Sequence, residues 1–129
     1  AMGPLWVIQA FDRIRNHFGV NRIAQAGALA SLNDPKHLTA VLQAVEQART
    51  ATAQTATSLG LEPLPSGTNF LALRTPSAEA SAQLVHSLAE RDVFVRRPGV
   101  PPLDTLVRIT LGTPAQQPTL DAALSASVA

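Results

Sequence analysis

The spacing of apolar residues changes partway along this chain, at a break marked by Gly60. Before the break, apolar residues recur every three or four positions, which is the period of an amphipathic helix. After it, residues 69–75 alternate as in a half-buried strand. A helical part followed by strands mixed with helices favours an α+β fold. The sequence therefore predicts a long helical arm that precedes a small sheet covered by helices.

Three helices are predicted before the break. Each is bounded by residues typical of helix ends: a glycine after the first, an asparagine cap on the second, and Asp34-Pro35 at the start of the third. The second has almost no polar face, so it is expected to need burial on several sides. The predicted helices cover residues 5–18, 21–32 and 35–59.

Three strands and two helices are predicted after the break. The first two strands, joined by a helix, should run parallel in a right-handed crossover, with the third strand antiparallel beside them. The prolines and glycine of 61–67 predict a loop. The sheet should be mostly antiparallel overall, with the helices on one face. The predicted strands cover 69–74, 93–96 and 106–111, and the helices 77–91 and 114–127.

Composition excludes several classes of protein. The net charge is only +1, and the longest basic run is Arg96-Arg97, so neither nucleic acid nor an anionic membrane is an expected partner. The chain has no cysteine and therefore no disulfide or thiol chemistry. It has no apolar stretch long enough to span a membrane. Residues 1–3 resemble the remnant of a cleaved tag, not a signal peptide, and are left out of the fold prediction.

Arg96 and Arg108 are the strongest chemical feature of the sequence. Each lies at or near a predicted strand end, with Arg97 and a proline-rich loop between them. Two converging guanidinium groups can bind a carboxylate or phosphate through paired hydrogen bonds. The alternative is that both are solvated and form weak surface pairs with Asp104 or Glu90. Arg97 is expected to be an exposed arginine that contributes little.

The remaining polar residues do not complete an active site. Lys36, the single lysine, falls in the first turn of a helix, a solvated place unlike the desolvated pocket of a Schiff-base lysine. The three histidines lie on separate predicted helices without metal-ligand spacing, so no metal site is predicted. The turn 66–69 could offer backbone N–H groups to an anion, but more often such a turn only starts a strand.

Four segments resemble histidinol-phosphate aminotransferases and their close relatives among the fold-type I enzymes that depend on pyridoxal phosphate (PLP). Their order and spacing agree over about residues 4–129. Together they are more specific than any one of them, including the Arg-Ile-Thr-x-Gly-Thr motif. The segments are FGVNRIAQAGALASL (18–32), PSGTNFLAL (65–73), VFVR (93–96) and LVRITLGT (106–113).

The resemblance implies a role for each matching position. Arg108 resembles the arginine that binds the donor's carboxylate or the phosphate of histidinol phosphate, and Arg96 a second arginine that assists it. Asn69 resembles a strand-entry residue near the substrate. Asn21 and Arg22 fall near the domain junction and the dimer interface. The family's Schiff-base lysine, pyridine-pairing aspartate and ring-covering tyrosine have no counterpart here, so the chain is expected to hold no catalytic residue and to bind no PLP by itself.

The resemblance implies a cytoplasmic, homodimeric parent enzyme that transfers an amino group between an amino-acid-like donor and 2-oxoglutarate. Residues 4–34 would be helices from the junction with a large domain, and 35–129 the C-terminal small domain. Without its partners, the fragment is expected to self-associate through its N-terminal helices. The alternatives are the small domain of another PLP enzyme, such as a different aminotransferase or a decarboxylase, and a non-catalytic α+β domain that binds anions or a partner.

Overall fold

The computed structural model describes residues 3–16 and 19–128, which divide into two compact units, Ala1–Thr39 and Ala40–Ala129. The first unit holds two short helices, and a long helix, α3, begins in it and ends in the second unit. The second unit contains the sheet and the remaining helices. No helix of the described part is long and apolar enough to cross a membrane.

The helices of the first unit are α1 (Leu5–Asp12) and α2 (Arg22–Leu32), and neither has a buried residue. The predicted cap of α2 is confirmed, because the Asn21 side chain accepts a hydrogen bond from the backbone N–H of Ala24 at 2.8 Å. The first helix is shorter than predicted, since Arg13–Asn16 are no longer helical. The last two residues of the predicted helix, 17 and 18, lie outside the described residues.

The second unit is an antiparallel sheet with helices before, between and after its strands. The long helix begins where predicted, with the Asp34 carboxylate accepting a hydrogen bond from the backbone of His37 at 2.9 Å. In chain order the elements are α3 (Pro35–Ser58), β1 (Glu62–Pro63), β2 (Phe70–Arg74), α4 (Ala78–Ala89), a 3-10 turn (Leu103–Thr105), β3 (Leu106–Thr110) and α5 (Gln117–Val128).

The sheet has the strand order β1-β2-β3, with both neighbouring pairs antiparallel. Leu71 lies opposite Ile109 and Leu73 opposite Val107, so these four side chains share one face, and all are buried. A strand presents alternate residues to opposite faces. Ala72 and Arg108, also directly opposed, therefore lie on the other face, which is only partly buried.

The core lies between the buried face of the sheet and the helices. Leu88 of α4, Leu124 of α5 and Ala56 of α3 belong to the same buried cluster as the inward strand residues. Two polar links join α3 to α5: Thr55 donates to Asp121 at 2.8 Å, and Thr52 to Gln117 at 3.3 Å. The predicted packing of all three helices with this sheet is thus confirmed.

Two predictions about strands were wrong. Residues 93–95 are not a strand, and only Arg96 of that segment pairs with the sheet, by an isolated antiparallel bridge to Arg108. No parallel pair therefore forms among the described strands. The predicted loop 61–67 instead contains β1, a two-residue edge strand in which Pro63 is tolerated because an edge position needs no ladder donor on its outer side.

The ends of α3 and α4 share a hydrogen-bond pattern. After α3, Gly60 has a φ of 77°, and the N–H of Leu61 bonds back to the carbonyl of Ala56. After α4, Asp92 has a φ of 59°, and the N–H of Val93 bonds back to Leu88. Both are Schellman-type ends, which favour glycine at the left-handed position. The end of α3 has glycine at that position, whereas the end of α4 has an aspartate.

The last helix begins later than predicted. Gln116 accepts a hydrogen bond from the backbone N–H of Thr113 at 2.9 Å, residues 114–116 form a turn, and α5 starts at Gln117. Pro118 then occupies the first turn of the helix, where a backbone N–H is not needed.

Candidate anion-binding site

Arg96 and Arg108 are brought directly opposite each other. The N–H of Arg96 donates to the carbonyl of Arg108 at 3.0 Å, and the N–H of Arg108 donates to the carbonyl of Arg96 at 2.7 Å. Residues paired in this way have Cα atoms about 5.5 Å apart and side chains on the same face. Both arginine side chains therefore lie on the same face of the sheet, the face opposite the core.

In the part of the chain that the structure describes, the two arginines have no acidic partner. Within residues 3–16 and 19–128, every ion pair is formed by other groups, and neither Arg96 nor Arg108 takes part. The alternative pairs of these arginines with Asp104 or Glu90 are absent from this part of the chain, and the Glu90 carboxylate instead lies 3.4 Å from His86 Nε2. Like charges placed directly opposite each other on a sheet are destabilising. The pair is therefore a local excess of positive charge that an anion would relieve.

Arg108 is also held in place by an aromatic ring. Its guanidinium carbon lies 4.8 Å from the centre of the Phe70 ring, within the range of a cation–π contact. Its Nε is buried and has no hydrogen-bond partner among residues 3–16 and 19–128. A buried donor without a partner is costly, so the described residues leave this N–H unsatisfied. Phe70 was missed at the sequence level, because only the β2–β3 register puts it diagonally beside Arg108.

Asn69 lies at the start of β2, apart from the arginine pair. Its backbone carbonyl accepts from the N–H of Leu111 at 2.9 Å, and its side chain is exposed. It precedes Ala72, the neighbour of Arg108, by three residues, or about 10 Å along a strand. The turn before it is fixed by hydroxyl groups, since Ser66 donates to the carbonyl of Phe70 at 2.7 Å and so occupies an acceptor within the turn.

The prediction for Arg97 was wrong. Its guanidinium is half-buried and donates to the Ser81 hydroxyl at 2.6 Å, to the Asp104 carbonyl at 3.0 Å and to the Ala78 carbonyl at 3.0 Å. Adjacent residues of an extended segment point to opposite sides. With Arg96 on the face of Arg108, its neighbour must turn toward α4. That alternation was the signal in the sequence that could have placed Arg96 and Arg97 on opposite sides of their segment.

The clefts of the second unit lie elsewhere. One of about 660 Å³ runs between α3 and residues 63–66, and another of about 280 Å³ lies between residues 92–95 and the start of α5. Neither is lined by Arg96 or Arg108. The arginine pair is an open surface feature, which suits one wall of a site better than a complete pocket.

The position of Lys36, the single lysine of the chain, bears on whether PLP could be held covalently. Lys36 is exposed in the first turn of α3, as predicted, and lines none of the clefts described above. A Schiff-base lysine requires a desolvated site that lowers its pKa. The described residues also contain no group of three or more His, Asp or Glu side chains able to hold a metal ion.

An antiparallel sheet with helices packed on one face, and with Arg96 opposite Arg108 on the other, is an α+β architecture. The family model for class I and II aminotransferases matches residues 1–125. The chain belongs to that family.

Curated relatives narrow the resemblance. Histidinol-phosphate aminotransferase 2 of Psychrobacter arcticus is 36% identical over 129 residues, which are 98% of this chain and 34% of that protein. Histidinol-phosphate aminotransferase 1 of Pseudomonas aeruginosa is 37% identical over 126 residues, 95% of this chain and 36% of its own length. The chain thus spans about a third of the relatives that it matches.

Solved structures share the fold. The histidinol-phosphate aminotransferase of Sinorhizobium meliloti, crystallised with pyridoxal-5'-phosphate, is 39% identical, with a TM-score of 0.85 over 93% of this chain and 33% of its own. A Burkholderia pseudomallei structure has a TM-score of 0.84 over 99% of this chain and 39% of its own, and at 23% identity it supports the fold alone. The sequence-level resemblance to fold-type I aminotransferases is confirmed.

Proposed function

We propose that this chain is the small domain of a PLP-dependent histidinol-phosphate:2-oxoglutarate aminotransferase, and that Arg96 and Arg108 bind the anionic end of the substrate. Residues 35–129 would form that domain, and residues 4–34 would be helices from its junction with the rest of the enzyme. Asn69 would lie at the edge of the substrate site. The matching names of the curated relatives support the substrate, and the arginine pair supports the role of the domain.

The observation that carries the proposal is the pair of opposed arginines without a carboxylate. A phosphate or carboxylate placed between them would offset the repulsion of two guanidinium groups. It could also accept a hydrogen bond from the buried Nε of Arg108, which the protein leaves unpartnered. Phe70 would keep that guanidinium flat against its ring while the anion binds.

Steady-state kinetics of the enzyme that contains this chain test the proposal. Arg108→Ala should lower kcat/KM for histidinol phosphate by about 100-fold or more, because it removes a desolvated charged contact. The matched control is Arg91→Ala, which lies just after α4 and whose exposed guanidinium donates to the carbonyl and hydroxyl of Ser87 in that helix. That change should stay within about twofold. Equal losses for the two variants would contradict the assignment.

The catalytic chemistry is proposed to belong to the rest of the enzyme. PLP supplies the electron sink for amino transfer when bound. The isolated 129-residue chain is expected to show no transaminase activity and no specific PLP adduct. Incubation with PLP followed by borohydride reduction and mass spectrometry checks this. Stoichiometric labelling of Lys36 would overturn it.

We also propose a homodimeric parent enzyme located in the cytoplasm. The proposed phosphorylated substrate is charged and does not cross a lipid membrane unaided, which supports that location.

For the isolated chain, we propose self-association through α1 and α2. Their apolar side chains are exposed, including Trp6 at 73%, Ile23 at 86% and Leu29 at 63%. Soluble monomers rarely expose large apolar patches, and side chains of this kind are the material of such patches.

A further inference from the structure

Arg97 connects its own segment to two other elements of the second unit, α4 and the 3-10 turn. Its guanidinium donates to the carbonyl of Ala78 in the first turn of α4, to the hydroxyl of Ser81 one turn later, and to the carbonyl of Asp104 in the 3-10 turn. Ser81 is fully buried, and its hydroxyl lies within hydrogen-bond distance of the same two carbonyls. A planar guanidinium is suited to such a fork of acceptors.

These contacts reach both segments that carry the proposed anion site. On one side, Arg97 is the chain neighbour of Arg96. On the other, Asp104 comes just before β3, the strand that presents Arg108. The next carbonyl, that of Thr105, is fixed independently, since it accepts from both the N–H and the hydroxyl of Thr75 at 2.9 Å.

Without Arg97, the orientation of Arg96 would depend on few contacts. Within the described chain, Arg96 is the one residue of 91–102 that pairs with β3. Three prolines follow at positions 98, 101 and 102, and they have no N–H to extend the ladder. A side chain locked on one side of an extended segment holds its neighbour on the other side.

We propose that Arg97 is a positioning residue, which holds Arg96 opposite Arg108 without touching the anion itself. The inference rests on the proposed function of the arginine pair. It separates two adjacent arginines by role: Arg96 faces the substrate side, and Arg97 is anchored in α4 and the 3-10 turn. The loss of Arg97 should therefore weaken anion binding only through Arg96.

A double-mutant cycle in the complete enzyme tests this coupling. Arg97→Ala should raise KM for the anionic substrate about tenfold and change kcat less than about twofold, since it misplaces a binding group and leaves the reacting atoms alone. Arg96→Ala should raise KM by a similar factor. The double variant should be little worse than Arg96→Ala, because the two changes remove the same contact.

The conservative variant separates position from charge. Arg97→Lys keeps the positive charge but loses the fork that reaches Ser81, Ala78 and Asp104. It should retain most of the KM defect of Arg97→Ala. If lysine restores the original KM, long-range charge explains the effect and the positioning role is overturned. Multiplicative effects of the Arg96 and Arg97 changes, or a change in melting temperature with KM unaltered, would overturn it as well.

If the Arg97→Ala variant does not fold, the double-mutant cycle with Arg96→Ala can be measured with Ser81→Ala instead. It removes one acceptor of Arg97 with little change in volume, and it should raise KM in the same direction by a smaller factor, again with no further loss in the Arg96→Ala background. An unchanged KM in Ser81→Ala overturns the inference when Arg97→Ala cannot be measured. If Arg96→Ala and Arg108→Ala themselves leave KM unaltered, then the proposed function fails, which is a different outcome from a failure of Arg97 alone.

Discussion

The two units of this chain use apolar residues in opposite ways. In the first unit, α1 and α2 bury none of their residues, although most residues of both helices are apolar. In the second unit, a sheet and three helices enclose a core in which Leu73, Leu88 and Leu124 are completely buried. The difference indicates that the second unit carries its own stability, whereas the apolar faces of the first unit are suited to contacts outside the described residues.

The largest expected effect is the loss of a core side chain. Leu73→Ala should lower the free energy of unfolding by about 2–5 kcal/mol, because it removes buried methyl groups and leaves a cavity. Leu29→Ala, at an exposed position of α2, should change it by less than about 0.5 kcal/mol when the chain is diluted below the concentration at which it associates. Urea unfolding of both variants checks the comparison. Similar losses would mean that the first unit contributes to the same core.

The next effect concerns self-association. Trp6→Ser should weaken association of the isolated chain by roughly tenfold or more, since it removes a large apolar contact. Phe94→Ser is the matched control: Phe94 is 81% exposed but belongs to the second unit, so its loss should leave association unchanged. Sedimentation velocity over a range of concentrations distinguishes the two. A monomer at micromolar concentration, or a larger effect at Phe94, would contradict the proposal.

A smaller effect should come from a helix end of the second unit. Asp92 occupies a left-handed position that glycine fills at the equivalent end of α3. Asp92→Gly should raise the free energy of unfolding by about 0.5–1 kcal/mol, and the reciprocal Gly60→Asp should lower it by a comparable amount. Thermal and urea unfolding measure both. If Asp92→Gly instead lowers the free energy of unfolding, the prediction is wrong, and contacts of the Asp92 side chain stabilise the fold by more than the left-handed backbone destabilises it.

The smallest expected effect depends on pH. The pKa of Glu79 lies below its usual range, mainly because of the backbone hydrogen bond at Glu79 and then the Ser77 side chain, with a further contribution from the charge of Arg97. A carboxyl group whose pKa is lower in the folded state than in the unfolded state stabilises the fold at pH values above its unfolded-state pKa. This contribution is lost as the pH falls through the folded-state pKa. Glu79→Gln should therefore be slightly less stable at neutral pH and indistinguishable from the original chain near pH 2. A pH-independent difference would contradict this.

Much of the fold could be predicted because the hydrophobic period is a local property. The switch near Gly60 indicated the α+β class, and the caps at Asn21 and Asp34 were visible in the sequence. The strand 93–96 was predicted wrongly because Val93 and Val95 have high strand propensity, yet a strand also needs a pairing partner, and only Arg96 finds one. The short edge strand β1 was hidden by Pro63.

The site was only partly predictable for a related reason. Arg96 and Arg108 could be singled out from their places in the sequence and from the family resemblance. Their direct opposition depends on a register between segments that the loop 97–105 separates, and no local pattern encodes it. The partners of Arg97 come from α4 and the 3-10 turn, so its anchored role could be seen only in the folded chain.

The most direct test of the central claim is an NMR titration of this chain with inorganic phosphate, following the Nε–Hε resonances of its arginines. We expect saturable shifts for Arg108 and Arg96 and no shift for Arg91, with the shift at Arg108 largest because its Nε lacks an acceptor within the described residues. Arg108→Ala should abolish the response at Arg96 as well. Equal, unsaturable shifts at all three arginines, or no shift at Arg108, would contradict the assignment of an anion-binding site to this face of the sheet.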